Sequence, residues 1–337
     1  MKNLAFSIGL LSLISFNGQS TTLKWEPLEK GDKIHVVAPS YGDENTRQNL
    51  AKAHEVLQKK GFKIEAPLTL IDSQPLGYAN TVAYKQEHLK KTLFENDCKA
   101  VWALRGGRGA SEIVIPLEEL PAPSKPKFIL GFSDATALHL LAAMWGWPSL
   151  HCPVLAYNQD IALTVNKATS LDLVLDILSG KTKEVNYTLS LLNNLPQKFE
   201  EEIEASVVGG NASLIQRSIG TPTHLKTTGK ILFLEDTGEP ATKFLEMMTH
   251  FRRANLFKGI KALILGDFKN GVAPEESPRI EIAQQSFLTT MTALNIPVLG
   301  SNQFGHGDIN YPLPFGTPAK LIFQNSKEVK LTIKTNN

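Results

Sequence analysis

From Gly31 onward the chain alternates short apolar runs with helical stretches, and several of the runs end in a glycine or proline turn. Ile34 to Ala38 and Phe62 to Ala66 read as strands, and Ala100 to Leu104 and Phe128 to Leu130 as short buried ones. Between them, Thr46 to Lys60 places Leu50, Ala53 and Leu57 on one helical face, and Gly61 stops that helix. Val82 to Phe94 has helical spacing as well, and Ala135 to Trp145 is an apolar helix. Strands that alternate with helices predict an α/β fold built on a parallel sheet covered on both faces.

The pattern loosens between Asn158 and Ala205. A helix is expected over Ser170 to Leu178, but Lys181 to Glu204 is polar and interrupted by Asn193-Asn194 and Pro196. This stretch reads as a link between domains. Strand and helix then resume. Val207 to Asn211 leads into a helix over Ala212 to Ile219, and Lys230 to Leu234 is a strong strand. Ala241 to Phe251 and Ile280 to Leu294 are helical, while Ala262 to Leu265 and Pro297 to Leu299 are strands. Ala319 to Phe323 with Glu328 to Ile333 suits a closing hairpin. The expected division is 21–160 for a first domain, 161–204 for the link and 205–337 for a second. A chain of 337 residues, 42% hydrophobic, has the material for two such cores.

The net charge of +2 gives no electrostatic case for nucleic acid. Lys59-Lys60 and Arg252-Arg253 read as solvated helix faces. At the N-terminus Lys2 precedes an apolar run from Leu4 to Phe16, and Gly18-Gln19-Ser20 supplies small residues for cleavage after Ser20. Residues 1–20 are therefore expected to be a signal peptide. The protein would be periplasmic or secreted, and cytoplasmic if that segment is not cleaved. The run is too short for a comfortable bilayer span, and no other stretch looks transmembrane. Cys98 and Cys152 are too few for a disulfide framework and are expected to pack as small apolar groups.

Phe128 to Leu138 contains the sharpest local feature: an apolar strand, Gly131-Phe132-Ser133-Asp134, then a helix. That is the layout of a nucleophile elbow, with Ala135 where a second glycine is usual. Ser133 or Asp134 could instead cap the helix. A serine nucleophile needs a base. Among eight histidines, His306 stands apart, because Gly305 and Gly307 leave its imidazole open to close approach. His151 needs no role beyond structure. A carboxylate that orients the base would suit the end of a buried strand, where Glu235 stands, with its neighbour Asp236 as rival. The glycine-rich turn Arg105-Gly106-Gly107-Arg108-Gly109 matches neither phosphate-binding fingerprint. It could serve as an oxyanion hole or as a plain tight turn.

Taken in order, these segments resemble the LD-carboxypeptidase family. These serine peptidases include muramoyl-tetrapeptide carboxypeptidases and microcin C self-immunity peptidases. The resemblance runs from Lys30-Gly31-Asp32 to Leu313-Pro314-Phe315-Gly316. It takes in Ile34 to Ser40, Arg105-Gly106-Gly107, Gly131 to Asp134, Gly209-Gly210-Asn211, Leu234-Glu235-Asp236 and Gly305-His306. It implies a Rossmann-like N-terminal domain, a smaller β-rich C-terminal domain and a site at their junction. It further implies Ser133 as nucleophile, His306 as base and Glu235 as charge-relay acid. The amides of Asp134 and Gly107 would bind the oxyanion, and Arg105, Gly106 and Asn211 would contact substrate. No metal or organic cofactor is implied. The reaction would cleave an L,D amide bond, releasing D-alanine from murein tetrapeptide. This chain departs from the family pattern at Arg108, where an aromatic is common, at Glu112, where an arginine is common, and at Cys152, where glycine is usual.

Two other readings predict different outcomes. A microcin-type immunity peptidase would cleave a peptidyl-nucleotide conjugate. A periplasmic solute-binding protein would bind ligand without turnover and leave Ser133 unlabelled by serine-reactive probes. The expected partner is a peptide or muropeptide, with homodimer formation left open.

Overall fold

The computed structural model describes residues 25–95, 97–157, 160–161, 169–195, 201–269 and 271–335. The segment read as a signal peptide, 1–20, lies outside these. In the first half, strands β1 (Lys33–Val37), β2 (Lys63–Glu65), β3 (Ala100–Ala103), β4 (Phe128–Gly131) and β5 (Ser149–His151) pair in parallel in the order β5-β4-β3-β1-β2. Helices α1 (Glu44–Lys59), α2 (Val82–Phe94), α3 (Ala110–Glu118) and α4 (Thr136–Met144) connect them. Asp43 starts α1 as a capping box with Thr46, accepting the Thr46 amide at 2.8 Å. Every residue of β3 and β4 is buried, as a sheet covered on both faces requires.

A small pair, β6 (Ala156–Tyr157) with β7 (Asp160–Ile161), and helix α5 (Thr169–Leu178) lead into a second sheet. Its strands are β8 (Glu184–Leu191), β9 (Glu202–Glu204), β10 (Val207–Asn211), β11 (Ile231–Glu235), β12 (Ala262–Leu265) and β13 (Val298–Gly300). Strand β14 (Leu313–Phe315) returns to the first sheet, where it pairs antiparallel with β5. Strands β15 (Ala319–Phe323) and β16 (Glu328–Lys334) complete the second sheet as the expected hairpin. The order is β10-β11-β12-β13-β8-β16-β15-β9, parallel through β13 and antiparallel beyond it. Helices α6 (Ala212–Ser218), α7 (Ala241–Arg253) and α8 (Glu276–Ala293) are the helices of this half. The fold is thus α/β: a parallel-sheet N-terminal half joined to a β-rich C-terminal half.

The structure corrects the reading of 161–204 as a link. β8 lies inside the second sheet, between β13 and β16, and α5 packs into the core. The strand alternates exposed and buried positions, with Val185, Tyr187 and Leu189 turned inward. Its polar residues occupy the outward face of a half-exposed antiparallel strand, so high polarity there does not mark a loop.

One apolar core crosses from sheet to sheet. It joins Trp102, Phe128 and Leu150 of the first half to Phe233, Phe304 and Leu331 of the second. A second cluster lies under α6, α7 and α8, and a third under α2, α3 and α4. Among the described residues no helix is long and apolar enough to cross a membrane. Cys98 and Cys152 are both buried thiols.

Because Leu189 is 1% exposed in this shared core, Leu189→Ala should cost about 2–5 kcal/mol of unfolding free energy in urea. A residue in a solvated link would cost almost nothing, and that result would contradict the placement of β8.

Candidate active site

The C-terminal ends of the parallel strands in the two sheets bring the site together. Ser133 follows β4, Glu235 ends β11, and His306 lies in the loop after β13. His306 Nε2 stands 2.9 Å from Ser133 Oγ, and its Nδ1 stands 2.6 Å from Glu235 Oε2. A carboxylate can only accept, so Nδ1 donates to it, and Nε2 is left to accept from the hydroxyl.

Ser133 has a φ of 59°, in the left-handed region that non-glycine residues rarely occupy. The short 3₁₀ turn Ser133–Ala135 then feeds α4, with no side-chain cap at its start. Neither Ser133 nor Asp134 is therefore a helix cap. The Asp134 side chain is instead a buried brace. Its Oδ2 accepts from Ser40 Oγ at 2.6 Å and from the Ala110 amide at 2.9 Å. One carboxylate thus ties the elbow to the end of β1 and to the start of α3. Burial pushes its pKa above the usual range, against the pull of Ser40, Ala110 and more distant cations.

The glycine turn comes close to the serine. A Cβ on Gly106 would lie 3.2 Å from Ser133 Oγ, so a side chain there would crowd the hydroxyl. Gly107, at φ +128°, has its α-carbon against the Tyr41 ring, where a Cβ would come within 2.5 Å. The turn therefore runs between Tyr41 and Ser133, with backbone as its only contribution to that wall. Arg105 is engaged inside the protein, donating to Asp43 at 3.2 Å and to Thr46 Oγ1 at 3.1 Å. Arg108 is exposed on the turn. Glu112 accepts from the Tyr78 hydroxyl at 2.8 Å, and Lys85 lies over the Tyr78 ring while donating to the Pro39 carbonyl.

The rivalry between Glu235 and Asp236 resolves by direction. Both are buried at the end of β11, and only Glu235 faces His306. Asp236 turns the other way. It accepts the Ser213 amide at 2.8 Å and the Thr237 amide at 2.9 Å, serving the start of α6. Burial and the neighbouring Glu235 charge raise its pKa. Asn211 lies between the two carboxylates, donating to Asp236 at 2.9 Å and to Glu235 at 3.3 Å. Its Oδ1 caps α6 at Leu214, so its side chain is occupied within the protein. Gly305, at φ +109°, makes room for the acid, since a Cβ there would meet Glu235 Oε2 at 2.9 Å.

Sequence reasoning missed Ser40, the Asp134 carboxylate as a brace, and Asn310, which holds the Gly305 amide at 3.1 Å. Ser40 had one signal, its position directly after the first strand. Among the described residues no cluster of histidine, cysteine or acidic groups could hold a metal ion.

This geometry is that of a serine hydrolase, and comparison with known proteins narrows the class to one family. A family model described as the LD-carboxypeptidase N-terminal domain matches residues 34–152, and one described as the C-terminal domain matches 204–321. The chain belongs to the LD-carboxypeptidase family and is a serine-type carboxypeptidase. A putative carboxypeptidase of Rickettsia prowazekii is 33% identical over 304 residues, 89% of this chain and 90% of that protein. The murein tetrapeptide carboxypeptidase of Pseudomonas aeruginosa is 27% identical over 318 residues, 90% of this chain and 96% of that protein. Among solved structures, the muramoyltetrapeptide carboxypeptidase from Oxalobacter formigenes has a TM-score of 0.71 at 21% identity, covering 90% of this chain and 98% of that one. The microcin C7 self-immunity protein MccF, in complex with aspartyl sulfamoyl adenosine, has a TM-score of 0.72 at 19% identity, covering 94% of this chain and all of that one. These two structures share the fold.

Burial disfavours a charged His306, but the Glu235 carboxylate, together with the charges of Asp236 and Asp267, outweighs it and raises the imidazole pKa above the ordinary histidine value. Glu235→Gln keeps the shape and removes that charge. The His306 titration, followed by NMR, should therefore move to lower pH in the variant. An unmoved midpoint would show that Glu235 does not set it.

Proposed function

We propose that this enzyme cleaves the amide bond between an L-centre and a terminal D-residue, releasing D-alanine from murein tetrapeptide. The observation that supports this reading is the unbroken hydrogen-bonded line from Ser133 through His306 to buried Glu235. In it, Ser133 Oγ attacks the scissile carbonyl while His306 Nε2 takes the hydroxyl proton. Glu235 holds the imidazole in the tautomer that can accept and stabilises the imidazolium that forms. The carbonyl oxygen becomes an oxyanion, met by the amides of Asp134 and Gly107. The tetrahedral adduct collapses, the C–N bond breaks, and His306 passes its proton to the departing amine of the D-residue. A water then gives its proton to His306 and attacks the Ser133 ester, and the serine regains its hydrogen.

The murein substrate takes support from the tetrapeptide carboxypeptidase of Pseudomonas aeruginosa, which aligns along nearly its whole length. The apolar segment Leu4 to Phe16, acting as an export signal, would deliver the enzyme to the compartment that holds murein. Fractionating cells that express the full chain tests that step.

Incubated with murein tetrapeptide, the wild type should release free D-alanine, detected by mass spectrometry. Ser133→Ala should lower turnover by about three orders of magnitude or more. Near-normal turnover in that variant would reject the nucleophile. An untouched tetrapeptide beside a cleaved aminoacyl sulfamoyl adenosine would move the substrate to the microcin type.

A further inference from the structure

We infer that Lys85 is a positioning residue for the oxyanion hole, holding the end of β1 and the far end of the glycine turn where both brace Asp134. This deepens the proposed function and rests on its reading of the Asp134 and Gly107 amides as oxyanion donors. Lys85 lies on α2 and is 3% exposed. Lysine is almost never buried so fully without partners. Its ammonium donates to the Pro39 carbonyl at 2.9 Å and stands 4.2 Å from the centre of the Tyr78 ring. It also lies against Gly109, where a Cβ would stand 3.0 Å from Nζ.

These contacts fall on two particular joints of the backbone. Pro39 precedes Ser40, whose hydroxyl donates to Asp134 Oδ2 at 2.6 Å. Gly109 precedes Ala110, whose amide donates to the same oxygen at 2.9 Å. One ammonium therefore stands beside both joints that deliver donors to Asp134. The other carboxylate oxygen, Oδ1, is buried and accepts no hydrogen bond, so a cation close behind the two braces is favourable to it. Burial raises the Asp134 pKa and lowers that of Lys85, and the attraction between the two groups opposes both shifts.

Tyr78 closes the arrangement. Its ring lies 3.2 Å from the place of a Gly109 Cβ, and its hydroxyl donates to Glu112 of α3 at 2.8 Å. Gly109 is thus held between lysine and tyrosine, at a φ of +113° that favours glycine. The other end of the turn is held at Gly106, whose carbonyl accepts the Tyr41 amide at 3.4 Å. Gly107, with the amide offered to the oxyanion, lies between these two points. Without the ammonium, the Pro39 carbonyl and Gly109 lose their common anchor. The Gly107 and Asp134 amides are then free to shift against each other, and an oxyanion hole works only when its donors are held in place.

The test uses the full chain, with kcat and KM on tetrapeptide and, independently of that substrate, the rate at which a fluorophosphonate labels Ser133. Lys85→Met keeps the stem and removes the donor. It should melt near the wild-type temperature, keep KM, and lose about ten- to a hundredfold in both kcat and labelling rate. In a Ser40→Ala background the same change should cost clearly less, because one of its two routes to Asp134 is gone. Wild-type labelling in folded Lys85→Met, a loss confined to KM, or full additivity with Ser40→Ala would overturn the inference. If Lys85→Met does not fold, nitrogen NMR of the wild-type lysines decides. A Lys85 resonance that moves when the fluorophosphonate occupies Ser133 supports the link, and one that stays put refutes it. A wild type that labels at Ser133 but releases no D-alanine rejects the proposed substrate and leaves this inference to the labelling rates. A wild type that never labels rejects the site reading and the inference with it.

Discussion

Glu235 is fully buried, and a carboxylate taken out of water must be met by donors or it drives the fold apart. Two side chains meet it here, His306 on one oxygen and Asn211 on the other. Much of the surrounding architecture follows from keeping those two in place. Asn211 closes β10 directly beside Glu235 in the parallel register, so the sheet itself delivers its amide. Gly305 has no side chain, so the His306 loop can lie against the acid. Gly266, after β12, does the same from the other side, since a Cβ there would come within 3.0 Å of the Glu235 Cβ. The acid therefore occupies a space that three strands were shaped to leave.

The serine comes from the other sheet, so the site needs the two halves to hold one relative position. Two features secure this. The apolar core runs unbroken across the junction, and β14 leaves the second half to become an edge strand of the first. Pro314 sits in β14, where a missing amide hydrogen costs little because one side of the strand is unpaired. The same strand sets Leu313 against His151 and begins three residues after Asn310. The connection that docks the halves thus also carries the loop that holds the base.

Much of the fold was readable because buried parallel strands write themselves as short apolar runs ending in glycine. β3, β4 and β12 have that form, β11 is an apolar run that passes into Glu235-Asp236, and the catalytic candidates Ser133 and Glu235 stand at strand ends. β8 was missed for the opposite reason. Its outward face carries Glu184, Asn186, Thr188 and Ser190, and those polar residues masked the period of two. β14 is three residues long and contains a proline, so no periodicity could show it. The residue pattern alone left Glu235 and Asp236 as rivals, because neighbouring residues on a strand face opposite ways, and it was the family resemblance that pointed to Glu235. The sequence placed His306 in an open glycine loop. Its approach to Ser133 from 173 residues away is a property of the docked halves.

The strained Ser133 shows how the scaffold balances such a site. A left-handed non-glycine residue persists only where its surroundings leave it no better choice. Before it, the Gly131 carbonyl is held twice, by His139 Nε2 at 2.9 Å and by the Cys152 amide at 3.0 Å. After it, Asp134 is fastened to Ser40 and Ala110. Beside it, Gly106 leaves the space for the serine hydroxyl that a side chain would crowd. His139 donates there from a ring that burial keeps neutral, its pKa lowered to about 4, so its other nitrogen can accept from Ser149 Oγ at 2.9 Å. The neutral histidines behind the elbow, His139 and His151, thus complement the front one. His139 holds the Gly131 carbonyl, and neither buried ring adds positive charge beside His306.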